Sequence, residues 1–250
     1  MPLLSDRDRK TLSDLFAAEL VEPVTIVYFG QEMACQFCRE TQAILEEVAG
    51  LSDRIELQLN NFVVDKARAE SLGVDKIPAT VILGGGKDYG VRFYGIPSGY
   101  EFTSLVQAIL TVSKGEADFS PTGQELIAKI DKPVHIQVFI TPTCPYCPQA
   151  VHMAHALAVA SDQVTAEMVE SVEFPHLANR YGVQTVPKTV INETTFQDGA
   201  APEPLFLARV LQAIGVMTAQ EVDDYIDGLR QAHARSGEED AQADRQSEGR

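Results

Sequence analysis

The sequence predicts an α/β protein built from two copies of one domain, and two observations support this. Each half contains an apolar run of strand length, then a Cys-x-x-Cys motif, then apolar residues at helical spacing. Shifting the sequence by the distance from Cys35 to Cys144 also places Cys38 on Cys147. The register then holds without a gap as far as an Ile/Val-Pro-x-Thr sequence in each half. An internal match of this extent predicts two tandem domains.

The first predicted domain covers residues 1–115. It begins with an amphipathic helix after the Ser5 capping box, a strand over Pro23 to Phe29 and the helix of the cysteine motif. A more exposed strand at Ile55 to Leu59 and a helix over Asp65 to Leu72 follow. Two strands, over Ala79 to Leu83 and Val91 to Tyr94, then lead to a closing helix from Phe102 to Leu110. Gly84, Gly85 and Gly86 lack the spacing of a phosphate-binding loop, so we interpret them as a hairpin turn.

The second predicted domain covers residues 116–235, after a short boundary segment at Lys114 to Thr122. It repeats the order, beginning with a helix at Leu126 to Ile130, a strand over Val134 to Ile140 and the helix of the second motif. A strand at Val164 to Val172 and a helix at Pro175 to Tyr181 follow. A strand over Val186 to Ile191 and a helix over Pro204 to Ile214 end the repeat. An extra helix follows the Thr218 and Glu221 capping box. Residues 236–250 are predicted to be disordered because they mix charges with Gly and Gln.

Composition narrows the choice of partners and location. The chain has 250 residues, 45% of them hydrophobic, with a net charge of −16 and a pI near 4.6. Such an acidic protein lacks the positive surface that nucleic acid or an anionic membrane requires. The N-terminal sequence has too short an apolar run for a signal peptide, so a cytoplasmic location is expected. Paired cysteines in the cytoplasm are more often catalytic than structural.

All four cysteines lie in the two motifs. A structural zinc site would need two more ligands nearby, and a structural disulfide across so short a loop would stabilise little. Placing Cys144 in the first turn of a helix instead favours its thiolate, which can attack a disulfide. Cys147 can then attack the mixed disulfide and release the product. The motifs therefore indicate thiol–disulfide exchange.

The Cys-Pro-Tyr-Cys sequence and the element order resemble the thioredoxin/glutaredoxin superfamily, and most closely its two-domain, glutaredoxin-like protein disulfide oxidoreductases. The resemblance implies two tandem thioredoxin-like domains, each a mixed four-stranded sheet flanked by helices. It implies that Cys35 and Cys144 are nucleophiles and that Cys38 and Cys147 are resolving thiols. The residues it assigns to substrate binding are the cis-prolines Pro78 and Pro187, the preceding Ile77 and Val186, and the flanking Pro145 and Tyr146.

One position departs from this resemblance. Thioredoxins carry a buried acid six residues before the nucleophile, where this chain has Phe29 and Val138. The group that takes the proton of the resolving thiol is therefore not identified by the sequence. Pro145 presets the start of its helix, whereas Gln36 in the first motif does not. The two pairs are therefore predicted to differ in reduction potential, with electrons moving in a preferred direction between the domains.

The leading functional hypothesis is a thiol–disulfide oxidoreductase that reduces, oxidises or isomerises protein disulfides. A dedicated electron carrier to one partner and a chaperone module with dispensable cysteines are the alternatives. A glutathione-dependent reductase, with Lys188 as a possible ligand, is a further one. The expected partners are disulfide-containing proteins, a thioredoxin-reductase-like electron donor and a peroxiredoxin, and an oligomer is compatible with the sequence. No organic cofactor or metal is expected besides the redox-active disulfides. His152 and His155, one helical turn apart, could tune the thiols or simply occupy a helix face.

Overall fold

The computed structural model describes residues 4–229 and 231. The first half contains α1 (Asp6–Glu19), β1 (Val24–Gly30), α2 (Cys38–Ala49), β2 (Ile55–Asn61), α3 (Lys66–Ser71), β3 (Ala79–Gly84), β4 (Lys87–Tyr94) and α4 (Glu101–Lys114). The second half contains α5 (Pro121–Ile127), β5 (Val134–Ile140), α6 (Cys147–Ala160), β6 (Val164–Glu170), α7 (Pro175–Arg180), β7 (Lys188–Ile191), β8 (Thr195–Asp198) and α8 (Glu203–Ala213). A further helix begins at residue 219. The tail predicted to be disordered, 236–250, lies outside the described residues.

Local sequence signals fix the ends of several helices. Ser5 Oγ accepts a hydrogen bond from the Asp8 N–H (3.2 Å), and Thr218 Oγ1 accepts one from the Glu221 N–H (3.2 Å). Ser5 thus caps α1, and the capping box at Thr218 is complete, because the Thr218 N–H also donates to Glu221 Oε2 (2.7 Å). α4 ends at Gly115, whose left-handed φ of 70° favours glycine. None of the helices in the described part of the chain combines the length and apolar character that a membrane crossing needs.

Each half forms a mixed four-stranded sheet, in the orders β2-β1-β3-β4 and β6-β5-β7-β8. This confirms the predicted fold of two tandem thioredoxin-like domains. The two sheets are also continuous, because β4 pairs with β6 in parallel from Val91–Ala166 to Tyr94–Val169. The sequence predicted two tandem domains, but it did not predict that they share one eight-stranded sheet.

The strand directions place both cysteine motifs at one edge of this sheet. β1 and β4 run in the same direction, since each is antiparallel to β3. β4, β6 and β5 are parallel to one another. The carboxyl ends of β1 and β5, where the motifs follow, therefore lie at the same edge. Three strands separate β1 from β5, which puts these two ends about 19 Å apart at the usual strand spacing.

Helices cover both faces of the sheet. One hydrophobic cluster joins α2, α4, α6 and α8 to one face, and a smaller cluster joins α3 and α7 to the other. β1 and β5 are buried along almost their whole length, as their continuous apolar runs predict. β2 is the partly exposed outer strand that its alternating sequence predicts.

A buried polar network crosses the junction between the halves on the face of α3. Glu167, whose side chain is 7% exposed, binds His135 Nε2 (2.8 Å) and Lys76 Nζ (3.3 Å). The ammonium of Lys76 also lies 3.6 Å from the ring centroid of Tyr94. Burial opposes protonation of His135, but its hydrogen bond to the Glu167 carboxylate raises its pKa. The network ties the segment just before Pro78 to the second half.

Candidate functional site

The two cysteine pairs occupy equivalent turns between a central strand and a helix. Cys35 and Cys38 follow β1, and Cys144 and Cys147 follow β5. The helices α2 and α6 begin at Cys38 and Cys147. The sequence-based placement of Cys144 in the first turn of the helix is therefore wrong by about one turn. For the same reason Pro145 precedes α6, and Pro148 is the proline in its first turn.

Both pairs are disulfide-bonded, with 5.5 Å between the Cα atoms in each. The inner cysteines, Cys38 and Cys147, are 5% and 0% exposed. The outer cysteines differ, because Cys35 is half-buried and Cys144 is only 8% exposed. In both pairs an attacking group reaches the outer sulfur more easily than the inner one. The first pair is the more accessible of the two.

Both proline segments have the cis geometry that the resemblance implies. The Ile77–Pro78 and Val186–Pro187 peptide bonds are both cis. In the second half, Cys144 Sγ lies 3.7 Å from the carbonyl oxygen of Val186. Val186 is half-buried, and Tyr146 beside the same disulfide is 69% exposed. The second pair is thus bordered by a backbone segment and an exposed aromatic ring that a bound polypeptide could contact.

The first pair opens into a cavity of about 950 Å³. The turn at 31–36, the first two turns of α2 and the end of β2 line this cavity, with Cys35 in its wall. Tyr28 lies beneath the pair and donates a hydrogen bond to the carbonyl oxygen of Cys38 (2.7 Å). Burial, reinforced by the charges of Glu173 and Glu40, raises the pKa of Tyr28, so its hydroxyl remains a donor.

The backbone immediately before Cys35 is strained. Ala34 has a φ of 58°, in the left-handed region that costs an L residue about 1–2 kcal/mol. We expect Ala34→Gly to raise the free energy of unfolding by about 0.5–1 kcal/mol, because relief of strain exceeds the flexibility that glycine adds to the unfolded chain. Urea denaturation measures the change. Ala17→Gly, on the exposed face of α1, is the matched control and should lower the stability by a similar amount. A loss in both variants would contradict the assignment of strain.

A buried carboxyl that the sequence did not single out lies at the start of α4, which contacts the segment before the second motif. Glu101, in the first turn of α4, is 0% exposed. Its Oε2 accepts a hydrogen bond from Ser104 Oγ (2.6 Å), and Oε1 has no partner among the described residues. Burial raises the pKa of Glu101 to about 7. The start of α4 is joined to the second motif, since the Tyr100 N–H donates to the carbonyl oxygen of Pro142 (3.0 Å).

Glu173 of the second half reaches the first half in the same region. Its Oε1 accepts a hydrogen bond from the Ile96 N–H (2.6 Å). Burial and the charges of Glu170 and Glu40 raise the pKa of Glu173 to about 7. The connection from β4 to α4 is therefore held by the second half at both ends, through Glu173 and Pro142. Neither glutamate lies at the position where thioredoxins carry their acid, so only the tertiary structure identifies them.

The two histidines of α6 have different environments. His155 is buried, its Nε2 lies 3.1 Å from the carbonyl oxygen of Arg92, and its ring packs edge-on against Phe93. Burial lowers the pKa of His155 to about 3, so the ring is neutral and packs α6 against β4. Burial also lowers the pKa of His152. Among the described residues, no group of three or more His, Cys, Asp or Glu side chains is arranged to hold a metal ion.

Known proteins resemble this chain over most of its length. A thioredoxin domain family model matches residues 134–212. A protein disulfide oxidoreductase from Aeropyrum pernix has a TM-score of 0.77 and 31% identity, over 84% of this chain and 93% of that one. A domain structure of the alkyl hydroperoxide reductase AhpF from Enterococcus faecalis has a TM-score of 0.76 and 29% identity, over 83% of this chain and 99% of that one.

A curated relative, named NADH dehydrogenase in Bacillus subtilis, is 27% identical over 172 residues. That match covers 69% of this chain but 31% of the relative, so the chain spans about a third of the length of such a protein. The likeness to the Aeropyrum protein extends over both halves and both strand–turn–helix units. The chain therefore belongs to the thioredoxin superfamily, as a two-domain member with a Cys-x-x-Cys motif in each domain.

Proposed function

We propose that the chain is a thiol–disulfide oxidoreductase that acts on protein disulfides through both cysteine pairs. The observation that carries this proposal is the placement of each disulfide at the start of a helix, with the second one 3.7 Å from the backbone beside a cis-proline. A helix start favours a thiolate, and the adjacent backbone offers a bound polypeptide a place to align. A cytoplasmic setting is part of the proposal, because reducing conditions there let such pairs cycle.

In the reductive direction, the thiolate of Cys144 attacks one sulfur of a substrate disulfide. That S–S bond breaks, a mixed disulfide forms, and the other substrate sulfur leaves as a thiolate. The thiol of Cys147 then loses its proton and attacks the Cys144 sulfur. The second substrate sulfur leaves, and the protein holds the Cys144–Cys147 disulfide. The substrate has gained two electrons and, after protonation, two thiols. Cys35 and Cys38 carry out the same steps at the first site.

Glu101 is our candidate for the group that accepts the proton of Cys147. A buried carboxyl with a pKa near 7 can take up and release a proton at neutral pH, as general acid–base catalysis requires. Tyr100, the residue before its helix α4, donates a hydrogen bond to Pro142 in the segment that leads into the second motif. Glu101 would then serve the second site from a helix of the first half, which explains how a motif without the usual strand acid can work.

A second candidate function is a dedicated electron carrier for a peroxide-reducing enzyme. It is favoured by the likeness to a domain of the alkyl hydroperoxide reductase AhpF, at 29% identity over 99% of that domain structure. A thioredoxin-reductase-like protein or domain would supply the electrons, and a peroxiredoxin would receive them. Both functions use the same four cysteines, so the breadth of substrates separates them.

The test compares reduction of insulin disulfides, with dithiothreitol as electron source, with reduction of an oxidised peroxiredoxin by the same reduced chain. A protein disulfide oxidoreductase should reduce insulin well above the rate of dithiothreitol alone. A dedicated carrier should leave insulin at that background rate while reducing the peroxiredoxin. If both activities persist after all four cysteines are replaced by serine, both functions are contradicted.

A further inference from the structure

The outer edge of β2 has backbone groups free to pair with another strand. Within the described residues β2 pairs only with β1. The Phe62 N–H donates to the Gly30 carbonyl oxygen of β1 (3.0 Å). Because successive backbone N–H groups of a strand point to opposite sides, those of Leu57 and Leu59 point away from β1. The Asn61 N–H, which points the same way, already donates to Asp65 Oδ2 (2.7 Å), so the open stretch ends there.

The second half of the molecule shows what fits such an edge. The strand equivalent to β2 is β6, which pairs with β5 as β2 pairs with β1. On its other side β6 is covered by β4, which lies parallel to it over Val91–Tyr94. The repeat places the covered part of β6, Ala166–Val169, on residues 57–60 of β2. An extended segment of about four residues, parallel to β2, would therefore repeat a pairing that the fold already contains.

The open edge adjoins the cavity that contains Cys35. Leu59 near the end of β2 and Met33 in the turn before Cys35 both line this cavity, and they are 50% and 81% exposed. The charged lining consists of three carboxylates and one guanidinium, from Glu32, Glu40, Glu46 and Arg39. The charged side chains of the lining are thus net negative, and Leu59 and Met33 add two exposed apolar side chains.

We propose that the edge of β2 and the adjoining cavity bind an extended, positively charged segment of a disulfide-containing protein, which the first cysteine pair then reduces or oxidises. The proposal rests on the proposed function for its second clause only. Charge selects this occupant over a second copy of the chain, because the chain carries a net charge of −16 and its other edge strand, β8, exposes Asp198. Pairing supplies affinity without sequence specificity, and the glutamates supply a preference for lysine and arginine.

The first test measures binding without redox chemistry, by fluorescence anisotropy of labelled heptapeptides that contain no cysteine. One peptide alternates lysine with valine or leucine, and the other has glutamate in place of lysine. We expect the lysine peptide to bind the intact, oxidised chain at least about tenfold more tightly in low salt, with the difference shrinking at 0.5 M salt. An otherwise identical lysine peptide with N-methylated central residues should bind at least about tenfold more weakly, since it cannot pair with a strand.

A matched pair of variants locates the binding. Replacing Glu32 and Glu46 by glutamine should weaken binding of the lysine peptide about three- to fivefold. Replacing the exposed Glu116 and Glu125 by glutamine changes the net charge equally and should leave the affinity unchanged. Equal binding of the lysine and glutamate peptides, or full binding of the N-methylated peptide, would overturn the proposal. So would a dimer of the free chain that the peptide dissociates, because the edge would then belong to a second copy.

A kinetic test in the C144S/C147S variant separates this proposal from the proposed function. The variant is first reduced with dithiothreitol, which is then removed, and is given one of three disulfides: a peptide with a lysine-rich arm, the same peptide with a glutamate-rich arm, or the small disulfide dithionitrobenzoate. We expect a lower KM for the lysine arm and turnover of all three. Tight, N-methyl-sensitive binding without turnover of any disulfide would support the docking surface and refute the function of the first site. Equal KM values for the two arms, without peptide binding, would refute the docking surface alone.

Discussion

Replacing Cys144 by serine in the C35S/C38S variant is expected to lower reduction of insulin disulfides to the rate of dithiothreitol alone. Cys144 is the only outer cysteine in the C35S/C38S variant, and a serine in its place cannot form the mixed disulfide through which exchange proceeds. Replacing Cys147 instead should trap a mixed disulfide between Cys144 and the substrate, which non-reducing electrophoresis and mass spectrometry detect. Insulin reduction that survives loss of all four cysteines would refute exchange and favour a binding or chaperone module.

The two double variants also test whether the cysteine pairs act separately. The continuous sheet holds the ends of β1 and β5 about 19 Å apart, and exchange requires contact between sulfurs. We therefore expect the activities of C35S/C38S and C144S/C147S to add up to that of the intact chain. The sequence suggested transfer of electrons in a preferred direction between the domains. A direct relay within one molecule would make each double variant lose nearly all activity, which would contradict this geometry.

Much of the fold could be predicted because short-range signals agree with the long-range structure. The repeat, the apolar runs at 24–30 and 134–140 and the two capping boxes predict elements that the structure contains. These signals depend on neighbouring residues, which the sequence displays directly. The start of α6 was placed about one turn too early, because the prolines at 145 and 148 both suit a first helical turn and periodicity cannot choose between them.

The joining of the two sheets could not be predicted in the same way. β4 and β6 are separated along the chain by three helices and a strand, and their pairing depends on backbone groups that every residue has. For the same reason the sequence did not identify Glu101 or Glu173. A glutamate at the start of a helix usually favours the helix dipole and faces water. Only the packing of α4 against α6 shows that Glu101 is buried, and only the packing of the β4–α4 connection against the second half shows that Glu173 is half-buried.

Glu101→Gln is expected to slow the second site while stabilising the protein. In the C35S/C38S variant, turnover at pH 7 should fall about 10- to 100-fold, because glutamine keeps the shape of the side chain but cannot accept a proton from Cys147. The rate of the C35S/C38S protein should rise as the pH passes through 7, where Glu101 ionises, and this rise should be absent when Glu101 is replaced by glutamine. In the C144S/C147S variant the same substitution should change turnover less than about twofold, since the start of α4 contacts the segment before the second motif.

Stability should respond in the opposite direction, which distinguishes proton transfer from structural damage. The pKa of Glu101 is about 7 in the folded protein, compared with 4.5 for an unperturbed glutamate, so the folded state binds the proton more tightly than the unfolded state. Protonation therefore favours folding, and the stability of the native protein falls as the pH rises from 4.5 to 7. At pH 8 the variant should avoid a cost on the order of 3 kcal/mol, and at pH 4 the two proteins should be equally stable. Urea denaturation at both pH values checks this, with the exposed Glu125→Gln as control. A variant that is less active and also less stable at pH 8 would show that Glu101 matters for packing and not for proton transfer.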